Sequence, residues 1–160
     1  MLATRMPRKL SPWILVGAGV LATPCLAAED DYRIAAGTRP LEQSVWLKLD
    51  PAQDSYEGRV QIALERTQAG KRLQFNGLDY RIDSATLSGA ADCTLTTTMV
   101  KNGLVDADCD KELPVGRYQL DVAFHAPFNR KSVGLFKTLD QGEPYLFTQF
   151  EMTDARRAFP

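Results

Sequence analysis

The sequence predicts an all-β domain, built as an antiparallel β-sandwich or curled sheet with one face in water. From residue 40 onward, apolar residues alternate with polar ones at a period of two, which is the period of a strand with one buried face. Turn-forming residues recur at intervals of roughly ten residues, a spacing typical of sandwiches and barrels. Residues 33–160 contain no internal repeat, low-complexity segment or linker.

The first four predicted strands cover residues 45–49, 59–65, 73–75 and 80–87. Apolar side chains occupy alternate positions, as in Val60, Ile62 and Leu64 of the second strand. The segments between these strands contain turn-forming pairs: Asp50-Pro51, Asp54-Ser55, Ala69-Gly70 and Asn76-Gly77.

The other four predicted strands cover residues 94–101, 118–125, 133–137 and 145–151. The first of these is rich in threonine and turns at Asn102-Gly103, the strongest two-residue hairpin signal in the chain. The next strand has the most regular alternation, with Tyr118, Leu120, Val122 and Phe124 as its apolar positions. Further turns are predicted at Ser88-Gly89, Pro114-Val115-Gly116 and Gln141-Gly142.

Residues 1–28 have the three parts of a secretory signal peptide. Three basic residues precede an apolar stretch at residues 12–22, and residues 25–28 offer small side chains for cleavage. The alternative is a membrane anchor that is not cleaved, but the apolar run is shorter than the roughly 20 residues that a spanning helix needs. We therefore expect removal of this leader, export to the periplasm or the medium, and no stable membrane span afterwards.

The charge balance argues against nucleic acid as a partner. The leader holds three of the 19 basic residues and none of the 20 acidic ones, so residues 29–160 are acidic overall. They contain no basic block and no stripe of alternating aromatic and basic residues, the features that nucleic-acid binding requires.

The residues offer no catalytic or metal site for a free-standing enzyme. A hydrolytic zinc needs three protein ligands, commonly including two histidines one helical turn apart, and this chain has one histidine. That residue, His125, lies on the polar face of its predicted strand, and we interpret it as an ordinary surface side chain. No Ser-His-Asp set, G-x-S-x-G motif or glycine-rich phosphate loop is present. We therefore expect residues 29–160 to be inactive by themselves and to bind no metal or cofactor.

Two cysteines follow the leader, Cys93 and Cys109, and neither belongs to a C-x-x-C motif. An even number of cysteines in an exported chain favours a disulfide, and the alternative is two free, partly buried thiols. An ideal two-residue hairpin about Asn102-Gly103 does not place these cysteines opposite each other. A bridge therefore requires a bulge or a frayed end of the hairpin, and it would contribute at most about 3 kcal/mol.

The end of the chain carries a specific resemblance. Residues 148–160 read TQFEMTDARRAFP, which resembles the signature TQFExTDARRAFPCFDEP of the M1 family of zinc aminopeptidases. Met152 stands where many relatives have another residue, often Pro. Weaker strand patterns resemble the same family in the same order: Arg39-Pro40, Val45-x-Leu47-x-Leu49, Tyr56-Glu57-Gly58-Arg59-Val60, Gly116-Arg117-Tyr118-x-Leu120 and Gly134-Leu135-Phe136. The resemblance covers essentially all of residues 33–160.

The resemblance implies that residues 29–160 are the amino-terminal, saddle-like β-domain of an exported zinc aminopeptidase, which removes amino-terminal residues from peptides. The zinc, its ligands and the general base would come from a catalytic domain beyond Pro160, the expected partner of this domain. The fold would then be incomplete at its C-terminal end, with an unpaired edge and an uncovered apolar face at residues 145–151. A competing hypothesis is a stand-alone secreted β-sandwich that binds a ligand or protein and has no catalytic half.

The resemblance also assigns two substrate-binding residues. In the family, the Glu of TQFE helps to hold the free α-amino group of the substrate, and the Gln lines the same pocket. These positions are Glu151 and Gln149 here. From the residues alone, Glu151 is instead interpreted as the cap of a helix beginning near Thr153, or as a solvated side chain. Arg156 and Arg157 are interpreted as packing on the surface of that helix.

Overall fold

The computed structural model describes residues 33–160, which form ten β-strands and two 3-10 turns. The strands are β1 (Thr38–Lys48), β2 (Ser55–Arg66), β3 (Gly70–Asn76), β4 (Arg81–Gly89), β5 (Cys93–Thr94), β6 (Thr96–Met99), β7 (Leu104–Leu113), β8 (Gly116–Pro127), β9 (Gly134–Asp140) and β10 (Glu143–Gln149). The 3-10 turns are Lys101–Gly103 and the C-terminal turn, Asp154–Arg157. The predicted all-β fold class is confirmed, whereas the predicted signal peptide lies outside the described residues. Among residues 33–160, no helix is long and apolar enough to cross a membrane.

The strands of residues 33–160 pair antiparallel and form three sheets. The large sheet has the order β1-β2-β8-β4-β5, the small sheet has the order β3-β7-β6, and β9 and β10 form a separate hairpin. In the centre of the large sheet, Val60 lies opposite Val122, and the next pair along the strands is Gln61 opposite Asp121. Apolar and polar pairs therefore alternate, so that one face of the sheet is apolar and the other is polar.

The apolar faces of the large and small sheets pack against each other and form the sandwich core. The large sheet contributes Leu87, Leu120 and Val122, and the small sheet contributes Val105 and Leu113, all of which are fully buried. Burying side chains of this size stabilises a fold by about 1.5–3 kcal/mol each. The alternation in the sequence thus follows the division between core and solvent.

A second core lies between the large sheet, the hairpin and the C-terminal segment. It contains the rings of Tyr56, Phe124 and Phe128, together with Leu135 from β9 and Ala158 after the C-terminal turn. The Tyr56 and Phe128 rings are stacked with their centroids 5.1 Å apart. Because Ala158 is buried here, the segment that follows the hairpin is an integral part of the packing.

β7 is absent from the strands predicted by alternation. Asp106, Asp108 and Asp110 alternate with its apolar residues at a period of two, but aspartate is disfavoured in strands, and this composition argues against the strand that the period indicates. In the structure β7 lies at the centre of the small sheet, and the Arg72 guanidinium on β3 pairs with Asp106 and Asp108 at 2.7 Å from each carboxylate. These cross-strand ion pairs stabilise Asp106 and Asp108 within the sheet. They depend on Arg72, which lies on another strand and is not part of the local sequence of β7.

The register predicted for the β6-β7 hairpin is wrong by one residue. Thr98 lies opposite Asp106. An ideal two-residue hairpin about Asn102-Gly103 would instead place Thr98 opposite Ala107. The connection is wider than two residues, since the Val100 N–H donates to the Leu104 carbonyl at 2.8 Å around a 3-10 turn. Asn102 lies in this turn with a positive φ of 59°, a conformation in which asparagine is enriched, and this explains the strong turn signal.

A disulfide joins Cys93 and Cys109, with their Cα atoms 6.1 Å apart. Cys93 lies on β5, which pairs with β4 in the large sheet, and Cys109 lies on β7 in the small sheet. Between β5 and β6, the Leu95 N–H donates to the Ala85 carbonyl of the large sheet at 2.9 Å, so the strand leaves the hairpin at this point. The bridge therefore lies at a frayed hairpin end and links the two sheets.

We expect reduction of this disulfide to lower the free energy of unfolding by up to about 3 kcal/mol, because the bridge joins residues 16 positions apart. Urea denaturation with and without reductant measures the difference. The double variant Cys93→Ser/Cys109→Ser is the control, since its midpoint should not respond to reductant. Equal midpoints for oxidised and reduced wild-type protein would show that the bridge does not stabilise the fold.

Candidate functional site

The two predicted substrate-binding residues lie together at the end of β10. Gln149 is the last residue of the strand, and its Nε2 donates to Oε1 of Glu151 at 3.1 Å. Both side chains are exposed. Residues 33–160 therefore bring the amide and the carboxylate together without burying them, and a closed pocket around them needs a surface from outside this range.

The hairpin that carries this pair is defined by its turn and by an aromatic contact. Gln141 and Gly142 have φ angles of 51° and 90°, the positive values that a two-residue type I′ turn requires. Phe136 on β9 lies opposite Phe147 on β10, and their stacked ring centroids are 5.9 Å apart. A cross-strand aromatic pair contributes up to about 1 kcal/mol, and this one helps to fix the register that ends at Gln149.

The two faces of β10 have different surroundings. Leu146 packs against the second core, whereas Tyr145 and Phe147 on the opposite face are 47% and 51% exposed. Gln149 follows on the same face because strand side chains alternate. Tyr145 and Phe147 form an exposed aromatic stripe that leads to the Gln149–Glu151 pair, and exposed apolar surface of this kind is typical of contact surfaces.

The segment after Glu151 is a single 3-10 turn, so the helix predicted to begin near Thr153 is not formed. Thr153 makes no side-chain cap, and Glu151 contacts the turn through its backbone carbonyl, which accepts from the Asp154 N–H at 3.0 Å. The turn ends at Ala158, which is buried in the second core. The interpretation of Glu151 as a helix-capping side chain is therefore wrong, and its carboxylate is directed to solvent and to Gln149.

Two arginines anchor the C-terminal turn to the loop between β3 and β4. The Arg156 carbonyl accepts from the Leu78 N–H at 2.8 Å. The Arg157 guanidinium contacts the Asp79 carboxylate and donates to Asp154 Oδ1 at 3.1 Å. Both arginines are half-buried. The sequence predicts surface packing for them, and in the structure they instead hold the turn against the sandwich.

A buried hydrogen bond fixes the other side of this turn. Tyr56 on β2 donates its hydroxyl to the Ala158 carbonyl at 2.8 Å. Burial raises the pKa of Tyr56, so the hydroxyl keeps its proton and acts as a donor throughout the neutral range. A buried carbonyl left without a donor costs about 1–3 kcal/mol. The large sheet therefore determines where the turn lies and, through it, where the hairpin ends.

A cavity of about 390 Å³ lies between β1, β3 and the C-terminal segment. Its walls are mainly apolar and include side chains from both sheets and from the end of the chain: Ile62, Leu73, Phe75 and Phe159. Neither Gln149 nor Glu151 lines it. The cavity and the amide–carboxylate pair are therefore separate features of the domain.

The described residues do not fit a zinc site. One group of three potential ligands occurs within residues 33–160, consisting of Cys93, Cys109 and Asp110, and both of its sulfurs belong to the disulfide. His125 lies on the polar face of the large sheet, where its ring contacts the Asp83 carboxylate. A single imidazole beside a carboxylate on a sheet surface does not provide the three ligands that a catalytic zinc needs.

The fold and the site together define an all-β sandwich domain whose last hairpin presents an amide–carboxylate pair beside an exposed aromatic stripe. The sequence matches the family model of the Peptidase M1 N-terminal domain over residues 39–160. This match spans more than half of the chain, and the chain belongs to that family. The resemblance seen in the sequence is thereby confirmed. Membership implies that a domain of this kind works in a zinc metallopeptidase, an aminopeptidase with peptide substrates.

We expect Arg157→Ala to lower the free energy of unfolding by about 1–2 kcal/mol, because Asp79 and Asp154 lose their partner at a half-buried position. Urea denaturation measures this loss, and amide hydrogen exchange at Leu78 should become faster. Arg130→Ala, at an exposed loop position, is the matched control and should change stability by less than about 0.5 kcal/mol. If the two variants behave alike, Arg157 does not anchor the turn.

Proposed function

We propose that this domain holds the free α-amino group of peptide substrates in an exported zinc aminopeptidase. The observation that carries the proposal is the hydrogen-bonded pair of Gln149 and Glu151 at the end of β10. This pair falls within the match to the M1 N-terminal domain. In the proposal, the zinc and the residues that activate water belong to a catalytic domain outside residues 33–160.

The pair supplies acceptors suited to an ammonium group. A substrate ammonium has three N–H donors and no acceptor, so it requires oxygens. One oxygen of the Glu151 carboxylate accepts from Gln149 Nε2, which leaves the second carboxylate oxygen and the Gln149 carbonyl oxygen for the substrate. The bond between the two side chains also orients the amide. Hydrogen bonds to charged groups of this kind contribute about 1.5–3 kcal/mol when water is excluded.

The strength of the amine contact depends on excluding water from it. Both side chains are exposed within residues 33–160, and an exposed ion pair contributes only about 0–1 kcal/mol. A second surface packed over the Gln149–Glu151 pair would displace water and lower the local dielectric constant, which strengthens the contact. We assign that surface to the catalytic domain, and we expect the β-domain by itself to bind amines weakly and to catalyse nothing.

An amine held at Glu151 accounts for the removal of one residue at a time. A single Cα separates the α-amino group from the carbonyl carbon of the first peptide bond. Fixing the amine therefore brings that bond, and not a later one, to the reacting groups. A peptide with a blocked amino terminus lacks the charge and the donors, so this site would reject it.

In an enzyme that joins this domain to its catalytic domain, Glu151→Ala is expected to lower kcat/KM about a hundredfold, the equivalent of about 3 kcal/mol. Gln149→Ala should have a much smaller effect, because the carboxylate charge remains. Steady-state kinetics with aminoacyl p-nitroanilides measure both. Residues 29–160 alone, with zinc added, are the control and should release no amino acid. Wild-type kinetics for both variants would refute the assigned roles, and activity of the control would refute the assigned location of the zinc.

Export is the second part of the proposal, and the composition of residues 1–28 supports it. Amino-terminal sequencing of protein from the periplasm or the medium is expected to begin near residue 29. Replacing Arg5, Arg8 and Lys9 with glutamate should retain the precursor in the cytoplasm, because the positive head is lost. Exported protein that keeps residues 1–28 would contradict cleavage.

A further inference from the structure

We propose that the free edge of β10 binds the main chain of a peptide substrate as an added antiparallel strand. The amino terminus of the peptide would lie at the Gln149–Glu151 pair. The direction of the peptide rests on the proposed function, whereas the edge itself follows from the backbone of the hairpin.

The contacts of β9 show which groups of β10 face outward. On the far side of β9, the Asn129 N–H donates to the Leu135 carbonyl at 2.9 Å, and the Lys137 N–H donates to the Asn129 carbonyl at 3.0 Å. Leu135 and Lys137 therefore direct these groups away from β10. Their partners on β10 are Thr148 and Leu146. In an antiparallel ladder such pairs are not hydrogen-bonded to each other, so the N–H and C=O of Thr148 and Leu146 face outward as well.

These outward groups form a short and complete set of docking positions. Within residues 33–160, β10 pairs with β9 alone, and the backbone hydrogen bonds outside the ladders do not involve Leu146 or Thr148. The edge thus offers two donors and two acceptors, spaced two residues or about 7 Å apart. Pro144 comes next on the same edge and has no N–H, so the edge ends there.

The register of the added strand determines which group of β10 each residue of a bound peptide would face. With the first residue beside Gln149, the second lies opposite Thr148 and the fourth lies opposite Leu146, where each exchanges two main-chain hydrogen bonds. The third and fifth residues lie opposite Phe147 and Tyr145 on the exposed face of the hairpin. Their side chains therefore meet the aromatic stripe, which favours aromatic or large apolar residues at these two peptide positions.

A second copy of the chain fits the same edge poorly. A two-fold pairing that places Leu146 opposite Thr148 also places Glu143 opposite Glu151 at both ends, and like charges directly opposite are destabilising. A pairing that places Leu146 opposite itself puts Pro144 opposite Thr148, whose carbonyl then finds no donor. A peptide with a terminal ammonium has neither defect, and its charge complements Glu151.

Modified peptides test the edge and the amine contact separately. The probe is the pentapeptide amide Ala-Thr-Phe-Thr-Phe with a fluorophore at its carboxyl end, and the dissociation constant for the full-length, zinc-depleted enzyme is measured by fluorescence anisotropy. N-methylation at the fourth residue removes an N–H that faces β10, and we expect the dissociation constant to rise at least tenfold. N-methylation at the third residue, whose N–H faces away, is the matched control and should change it less than threefold. Acetylation of the amino terminus tests the Glu151 contact by itself.

If the two N-methyl groups raise the dissociation constant equally, the edge proposal is overturned. If acetylation still weakens binding in that case, the proposed function stands. The expected methylation pattern without an effect of acetylation would support the edge and refute the amine contact. A second test uses the protein: Thr148→Pro removes one outward N–H and should weaken binding, whereas Thr148→Ala should not. The protein could instead form a dimer through this edge. If Thr148→Pro dissociates such a dimer and the peptide does not displace it, the edge belongs to a second copy and the proposal is overturned.

Discussion

The Tyr56 hydroxyl donates to the Ala158 carbonyl inside the second core, and much of the site depends on this buried bond. The hairpin that carries Gln149 and Glu151 shares no ladder with the large or the small sheet. Its place is set instead by Leu135 and Leu146 in the second core, by two main-chain hydrogen bonds between β9 and Asn129, and by the turn that Tyr56 holds. A ladder would fix the hairpin through many equivalent bonds, whereas here a few specific contacts position the Gln149–Glu151 pair.

Local alternation predicted most of the strands, because each of them has one face in a core and one in water. In β7 the alternation is present but is carried by aspartates, which are disfavoured in strands, and the arginine that pairs with Asp108 lies 36 residues away in the sequence. The anchoring role of Arg157 was missed for a similar reason, because its partner Asp79 is 78 residues away. No local pattern distinguishes an anchoring arginine from a solvated one. Gln149 and Glu151 are separated by one residue, and the structure places their side chains in contact, as their spacing on one face of a strand predicts. Their exposure could not be predicted from these two residues, because it depends on the surfaces around them.

The described residues offer a site suited to a cation but no set of ligands suited to a catalytic zinc. Residues 33–160 do not fit a zinc site, and they carry an amide–carboxylate pair that is suited to a cation. Under the proposed function, recognition of the amine and cleavage of the bond belong to different domains of one enzyme. The distance between the two domains then selects the bond that is cut, so rigid anchoring of the hairpin has a direct catalytic value.

The link between Cys93 and Cys109 has a consequence for the order in which the chain assembles. β2 pairs with β8 across a long stretch of sequence, as in Val60 opposite Val122, so the large sheet depends on non-local contacts that form slowly. The two cysteines are only 16 positions apart, and closing so short a loop is rapid. When an oxidised chain refolds with the bridge already formed, this crosslink tethers a strand of each sheet before β8 docks. The search for the native topology then starts from a chain whose two layers are already joined at one corner.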